Sequence, residues 1–170
     1  MTRTPIEGLP PLFPGGNRNG AEDEQAVLEV VRSKRLFRYY GAVEGPSAVE
    51  TFEMDLAARL ETTHAVAVAS GTTALAAALA AAGVGRGDQV IVPAYTWVST
   101  AAAVVAVGAV PVIAEVDDAL TLDVADAAGL VNERTRAIIP VHMRGAAADM
   151  AAVTKLARAH DLVVIEDAAQ

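Results

Sequence analysis

Residues 89 to 114 carry the clearest signal for the fold: Gln-Val-Ile-Val-Pro-Ala-Tyr-Thr-Trp-Val-Ser-Thr-Ala-Ala-Ala-Val-Val-Ala-Val-Gly-Ala-Val-Pro-Val-Ile-Ala. It begins and ends with short apolar runs rich in β-branched residues, Gln89 to Val92 and Val110 to Ala114, which predict two strands. Between them Val98 to Val107 predicts a helix of small apolar residues. A strand, a helix and a second strand in this order are typical of a parallel strand pair.

A membrane-spanning helix is the alternative for this stretch, because its 26 residues contain no charge. Pro93, Gly108 and Pro111 interrupt it, and three hydroxyl side chains dilute its first half. A spanning segment must satisfy every backbone polar group within itself, which these interruptions oppose. We therefore predict no membrane span.

The same pattern of strands and helices continues on both sides. Apolar runs predict further strands at Ala65 to Ala69, Ala137 to Val141 and Leu162 to Ile165. Helical stretches are predicted between them, at Thr72 to Ala82, about Val124 to Val131, and Met150 to His160 behind the cap Asp149. Strands that are apolar on both faces and alternate with helices predict an α/β fold of three layers with a mainly parallel sheet.

Length and composition exclude several classes of protein. The chain has 170 residues, a formal net charge of −8 and no cysteine. It is one ordinary domain or part of a larger one, without disulfides or a thiolate metal site. No second histidine or carboxylate stands at metal-ligand spacing from His142, so no metal is expected. The acidic balance argues against nucleic acid as a partner. No apolar stretch follows a basic head at the N-terminus, so no signal peptide is predicted and a cytoplasmic protein is expected.

The N-terminal region differs from the rest of the chain. Residues 1 to 20 hold four prolines and four glycines, which predicts an extended arm. A short helix is predicted over Glu22 to Ser33. Ser47-Ala48-Val49-Glu50 is a capping box, in which two side chains satisfy free backbone donors, and it predicts the start of another helix.

The loops that follow parallel strands meet at one edge of the sheet, where ligands of such folds bind. Ser70-Gly71-Thr72-Thr73 is one of these loops and opens a helix. Gly71 allows close approach of a ligand, and the free backbone N–H groups of Thr72 and Thr73 suit a phosphate. The alternative is a plain Ser cap without a ligand, and the tetrapeptide by itself fits that better. The glycine motifs of dinucleotide and nucleoside-triphosphate sites are missing.

Three more residues at this edge are candidates for ligand contacts. Trp97, the only tryptophan, either stacks on a planar ligand or fills the gap between sheet and helix; taken alone it fits the gap better. Asp167 ends an apolar strand, so it either meets a cationic group, caps a helix or forms an ordinary ion pair. Gln170, three residues on, can reach the same ligand.

The remaining ionisable residues carry weaker signals. His142 ends the fourth predicted strand and is more typical of a structural histidine than of a base. Arg144 is either an anion contact or a surface arginine. The only lysines, Lys34 and Lys155, lie on helical stretches away from the candidate edge.

Taken together, five motifs in order resemble the DegT/DnrJ/EryC1/StrS family, from about Arg38 to the last residue. These motifs are Ser70-Gly71-Thr72-Thr73-Ala74-Leu75, Gly85 to Pro93, Tyr95-Thr96-Trp97-Val98, Val141 to Gly145 with Asp149-Met150, and Glu166-Asp167-Ala168-Ala169-Gln170. The family consists of aminotransferases of fold type I that use pyridoxal 5′-phosphate (PLP) and act on keto-sugars and keto-cyclitols. The resemblance implies that residues 21–170 are the N-terminal portion of a PLP-binding large domain.

The resemblance also implies a role for each candidate residue. Gly71 and the backbone of Thr72 and Thr73 would hold the PLP phosphate, and Trp97 would stack on the ring. Asp167 would pair with the protonated ring nitrogen, and Gln170 would contact the ring hydroxyl. It implies a homodimer and an amino donor such as glutamate or glutamine.

Two departures from the family pattern stand out. Met143-Arg144 replaces the usual Leu-Tyr pair. The family's Schiff-base lysine lies beyond the aspartate motif, and neither Lys34 nor Lys155 matches it, so we expect a fragment that is inactive by itself. Alternative functions are a sugar dehydratase-like relative in which another base replaces the lysine, and a non-catalytic protein that binds PLP or another ligand. A nicotinamide-dependent oxidoreductase is disfavoured by the missing glycine motif. The sequence does not identify the substrate.

Overall fold

The computed structural model describes residues 19–38 and 45–170. The chain divides into two compact units between Val66 and Ala67. In its described residues the first unit contains α1 (Ala21–Ser33) and α2 (Ala48–Arg59). Of the arm expected over residues 1 to 20, only Asn19 and Gly20 lie within the described residues.

The second unit is built on a sheet of four parallel strands in the order β2-β1-β3-β4. Its strands are β1 (Gln89–Pro93), β2 (Val110–Ala114), β3 (Thr135–Ile138) and β4 (Val163–Val164). Its helices are α3 (Gly71–Ala81), α4 (Ser99–Ala106), α5 (Val124–Leu130) and α6 (Met150–His160).

Alternate residues of the central strands pack against helices on opposite faces of the sheet. Val90 and Val92 belong to a core cluster with side chains of α3 and α4, such as Leu79 and Val104. Ile91, between them, belongs to a second cluster with side chains of α5 and α6. Each fully buried side chain of this kind contributes about 1.5–3 kcal/mol. The predicted α/β fold with a parallel sheet is confirmed.

The strand predicted at Ala65 to Ala69 is wrong, because no ladder in the described residues includes this segment. Val66 is 72% exposed and Val68 is 41% exposed. The alternation of alanine and valine fits a strand locally. A strand also needs a ladder with a neighbouring strand, and in the described residues the sheet consists of β1 to β4 only.

The other predicted elements are found within a few residues of their expected bounds. The largest shift is in β3, which begins at Thr135 and ends before Pro140, a residue without an N–H to donate. Ser47 and Glu50 form the predicted capping box of α2, and Asp149 caps α6. In the described part of the chain, every helix is too short or too polar to cross a bilayer.

Candidate ligand-binding cavity

A cavity of about 340 Å³ lies at the carboxyl edge of the sheet in the second unit. Its volume is within the range of small-molecule sites, about 300–1,000 Å³. Five of the six predicted site residues line it: Gly71, Thr72, Trp97, Asp167 and Gln170. The other lining residues are Leu75, Thr96, Ser99, Val141, Met143 and Ala169.

The first turn of α3 presents backbone donors to this cavity. Ser70 caps the helix, and its Oγ accepts the N–H of Thr73 at 3.1 Å. The N–H groups of Gly71 and Thr72 have no hydrogen-bond partner within residues 19–38 and 45–170. A Cβ added at Gly71 would meet no atom within 4 Å, so the space beside this backbone is open. Such a helix start suits an anion.

Thr73 does not offer the free backbone N–H that the sequence predicted. Its hydroxyl lies 2.9 Å from Ser70 Oγ, and the residue does not line the cavity. Its N–H was expected to be free, but it is the group that a serine cap normally binds. The backbone donors open to a ligand are therefore those of Gly71 and Thr72.

Ser99 is a lining residue that the sequence analysis missed. Thr72 Oγ1 donates to Ser99 Oγ at 2.8 Å, which leaves the hydroxyl hydrogen of Ser99 available to a ligand. Ser99 is the first residue of α4, so a second helix also begins at the cavity. A polar residue at the start of the helix predicted from residue 98 was the available signal.

The helices that begin at the cavity differ in charge from the other four. Among the described residues, only α3 and α4 have neither an acidic cap nor an acid in the first turn. Each of the other helices carries at least one carboxylate there, namely Asp23, Glu50, Asp123 or Asp149. A carboxylate at a helix start competes with an anionic ligand for the same donors and dipole. At the start of α3 the N–H groups of Gly71 and Thr72 therefore remain open to such a ligand.

Asp167 is held firmly at the inner wall of the cavity. Its backbone joins the segment after β3: Asp167 N–H donates to Pro140 O at 3.0 Å, and His142 N–H donates to Asp167 O at 3.0 Å. Thr100 Oγ1 donates to Asp167 Oδ2 at 2.9 Å, and Ala169 N–H donates to Oδ1 at 3.2 Å. Each carboxylate oxygen keeps further capacity to accept a hydrogen bond from a ligand.

Trp97 is 76% exposed although it lines the cavity. The interpretation of this residue as a filler between sheet and helix is therefore wrong, since a filler would be buried. Its neighbour Val98 is also 70% exposed. A free indole face beside a cavity can stack on a planar ligand.

Gln170 is oriented by the loop that contains the unusual Met143-Arg144 pair. Arg144 N–H donates to Gln170 Oε1 at 3.2 Å, so the amide Nε2 is the end left to meet an acceptor on a ligand. The Arg144 guanidinium donates to the Tyr95 hydroxyl at 3.3 Å. Met143 is buried and lines the cavity.

His142 has the structural role that the sequence favoured. Its Nδ1 accepts the N–H of Ala148 at 3.2 Å, and its Nε2 lies 3.0 Å from Glu166 Oε2. Because a backbone N–H can only donate, neutral His142 carries its proton on Nε2. Both ring nitrogens are thus used within the protein. Lys155, on α6, does not line the cavity.

The cavity combines three kinds of group that a single ligand could use. Backbone and hydroxyl donors at Gly71, Thr72 and Ser99 suit an anion, Trp97 offers an aromatic face, and Asp167 suits a cationic or N–H group. PLP has a phosphate, a flat ring and a basic ring nitrogen. The residues present fit this group.

Comparison with known proteins identifies related sequences. The chain matches the DegT/DnrJ/EryC1/StrS aminotransferase family over residues 17–170. It is 43% identical over 161 residues to the L-glutamine:2-deoxy-scyllo-inosose aminotransferase of Streptomyces lividus, covering 94% of this chain and 37% of that protein. It is 44% identical over 151 residues to the dTDP-3-amino-3,4,6-trideoxy-alpha-D-glucose transaminase of Streptomyces venezuelae, covering 88% of this chain and 38% of that protein. The chain therefore spans about two fifths of the length of these curated relatives.

Solved structures share the fold. The structure of 3-amino-5-hydroxybenzoic acid synthase superposes with a TM-score of 0.83 at 36% identity, covering 89% of this chain and 38% of that one. NtdA from Bacillus subtilis, with bound cofactor PMP, superposes with a TM-score of 0.77 at 30% identity, covering 89% of this chain and 34% of that one. These matches agree with the fold type that the sequence motifs implied.

Proposed function

Because this chain belongs to the DegT/DnrJ/EryC1/StrS aminotransferase family, we propose that the protein is a PLP-dependent aminotransferase acting on a keto-sugar or keto-cyclitol. The observation that carries the proposal is the single cavity shared by Gly71, Thr72, Trp97, Asp167 and Gln170. These residues come from loops up to about a hundred positions apart in the sequence, and one ligand can use all of them.

The start of α3 is the proposed phosphate site. The N–H groups of Gly71 and Thr72 and the hydroxyl of Ser99 would donate to the phosphate oxygens. The lack of carboxylates in the first turns of α3 and α4 supports this assignment. Hydrogen bonds to a charged acceptor contribute about 1.5–3 kcal/mol each.

The opposite part of the cavity is the proposed ring site. Trp97 would lie against the ring face, and Gln170 Nε2 would donate to the oxygen of the ring hydroxyl. Asp167 would accept a hydrogen bond from the protonated ring nitrogen, with Thr100 and Ala169 holding its carboxylate in place. When bound, PLP supplies an electron-poor ring that stabilises negative charge on the carbon next to the transferred nitrogen. The fixed negative charge of Asp167 keeps the ring nitrogen protonated and so maintains that property.

The names of the relatives support the substrates that we propose for the whole protein. The name of the Streptomyces lividus relative gives L-glutamine and a cyclitol, and that of the Streptomyces venezuelae relative gives a nucleotide-linked sugar. We propose L-glutamine or L-glutamate as donor and a homodimer as the active form. The lysine that would hold PLP covalently is not among the residues that line the cavity.

The test uses the protein expressed from its complete gene, together with Asp167→Asn. We expect PLP to bind with a visible absorption band and amino transfer from L-glutamine or L-glutamate to keto-cyclitol or nucleotide keto-sugar acceptors. Asp167→Asn removes the charge opposite the ring nitrogen. It should lower kcat by about a hundredfold or more, a loss of roughly 3 kcal/mol of transition-state stabilisation, while the PLP content falls much less.

Two results would argue against this function. Wild-type kcat in Asp167→Asn would remove the assigned role of this residue. Tight PLP binding without amino transfer to any acceptor would favour a dehydratase-like relative or a binding protein, and product analysis of the keto-sugar would separate these two.

A further inference from the structure

We propose that Thr100, a residue outside the cavity lining, is a positioning residue that fixes the carboxylate of Asp167 through a relay of two hydroxyl groups. This inference rests on the proposed function, because the carboxylate matters there as the partner of a ring nitrogen. Thr100 is fully buried and is the second residue of α4.

The contact between Thr100 and Asp167 joins two distant parts of the second unit. Thr100 Oγ1 lies 2.9 Å from Asp167 Oδ2, although 67 positions separate the residues. A threonine within a helix commonly donates to the carbonyl four residues earlier in its own helix. The hydroxyl of Thr100 instead donates out of the helix, to the end of the strand segment that carries Asp167.

The directions of the hydrogen bonds follow from the donor capacity of each group. Thr100 has one hydroxyl hydrogen, and Asp167 as a carboxylate can only accept, so Thr100 donates to Asp167. Thr96 Oγ1 lies 2.8 Å from Thr100 Oγ1 and must therefore donate to it. The relay runs from Thr96, which lines the cavity, through Thr100 to Asp167.

This relay limits rotation of the Asp167 carboxylate. Ala169 N–H holds Oδ1 and Thr100 holds Oδ2, while two backbone hydrogen bonds fix the main chain of Asp167. A hydroxyl that donates to another hydroxyl acceptor becomes a better donor itself, which strengthens the contact with the carboxylate. Without Thr100, only Ala169 would orient the side chain.

The experiment compares Thr100→Val, which keeps the shape but loses the hydroxyl, with Thr100→Ser, which keeps the hydroxyl. Both are made in the protein expressed from the complete gene and loaded with PLP. We expect Thr100→Val to lower kcat about tenfold with the KM of the amino donor within about twofold, as for one hydrogen bond to a charged group. It should also shift the pH dependence of the visible absorption of bound PLP. Thr100→Ser should restore both properties to within about twofold of the wild type.

Thr135→Val is the matched control for burial. Thr135 is 3% exposed, and its hydroxyl accepts the N–H of Asn132, away from the cavity. We expect this variant to lower Tm without changing kcat or the absorption profile. If Thr100→Val also lowers only Tm, Thr100 has a structural role and the inference is wrong.

Two further variants keep the outcome decisive. Thr96→Val removes the first hydroxyl of the relay and replaces Thr100→Val as the test if that variant does not fold. A shift in the pH dependence of the visible absorption of bound PLP in Thr96→Val would then support the relay. An unchanged pH dependence would contradict it. Asp167→Asn separates this inference from the proposed function. If Asp167→Asn changes kcat and the profile while Thr100→Val does not, only the positioning role fails; if neither variant has an effect, the proposed function fails as well.

Discussion

The helices α2 and α3 both follow a serine N-cap, but their first turns differ in charge and hydrogen bonding. In α2, Ser47 Oγ accepts the N–H of Glu50 at 3.2 Å, and Glu50 Oε2 accepts the N–H of Ser47 at 2.7 Å. In α3, Ser70 accepts the N–H of Thr73, but the third helical position holds no acid. In α2 a carboxylate therefore lies at the positive end of the helix, whereas the start of α3 has its free backbone donors and no carboxylate in its first turn.

The contrast between the two first turns shows what leaves a helix start available to an anion. An N-cap serine satisfies only one of the free N–H groups. An acid three residues later adds a second contact and neutralises the dipole, which closes the turn to other anions. At α3 a threonine stands at that position, and the next helix at the cavity, α4, also lacks an acid. The proposed phosphate site is therefore defined as much by missing carboxylates as by the donors present.

The largest expected effect comes from giving α3 the acid of α2. Thr73→Glu completes a capping box at Ser70 and places a negative charge at the proposed phosphate site. We expect the Kd for PLP to rise at least about thirtyfold, roughly 2 kcal/mol, with a weaker effect at high salt because the repulsion is screened. Equilibrium dialysis at two ionic strengths would measure this.

Thr73→Gln is the control for this variant, because glutamine can complete the capping box without a charge. It should raise the Kd much less than Thr73→Glu. Both variants should keep or raise the Tm of the PLP-free protein. Equal affinity in wild type and Thr73→Glu would place the phosphate elsewhere.

A smaller effect should separate the two adjacent threonines of α3. Thr72→Val removes a hydroxyl that lines the cavity and holds Ser99, while Thr73→Val removes a hydroxyl that only contacts Ser70. We expect Thr72→Val to raise the Kd for PLP about tenfold, roughly 1.4 kcal/mol, and Thr73→Val to raise it less than about threefold. A titration that ranks the two variants in the opposite order would contradict the assignment of the donors.

The smallest effect is expected at the closed helix start of α2. The backbone N–H of Ser47, followed by its hydroxyl and the charge of Arg38, holds the pKa of Glu50 below its ordinary value of 4.5. A group with a lowered pKa in the folded state stabilises the fold above its ordinary pKa, and that stability is lost as the pH falls through the folded-state value. Glu50→Gln should therefore slightly lower Tm at neutral pH and reduce the fall of Tm below about pH 5.

Asp55→Asn is a suitable control, since Asp55 is exposed on the same helix and its carboxylate has no hydrogen-bond partner in the described part of the chain. PLP affinity should not change in either variant. A fall of Tm with acid that is identical in Glu50→Gln and wild type would show that the capping box does not contribute to pH dependence.

Much of the fold could be predicted because its signals are local. The β-branched runs at β1 and β2 and the caps Ser47 and Asp149 act within a few residues, and each of these elements is found. The parallel arrangement followed from the alternation of strands and helices. The edge that carries the site then followed from the handedness of the crossovers.

The wrong predictions concern features that depend on contacts with residues far away in the sequence. The segment from Ala65 to Ala69 has a strand-like pattern, but it lies outside the four-stranded sheet of the described residues, and local alternation does not specify which strands pair. Trp97 fits either an exposed or a buried site by sequence, and only packing shows that it is exposed. The occupied N–H of Thr73 and the role of Ser99 depend on hydrogen bonds that no spacing reveals.

Hydrophobic periodicity, helix caps and ordered motifs are written along the chain, so they were enough to predict the layered fold, the family and five of the eleven residues that line the cavity. The open donors, the position of the indole face and the contact of Thr100 with Asp167 became known from the folded chain alone. Those properties depend on contacts between residues far apart in the sequence, and the free energy of such contacts exists only once the chain has folded.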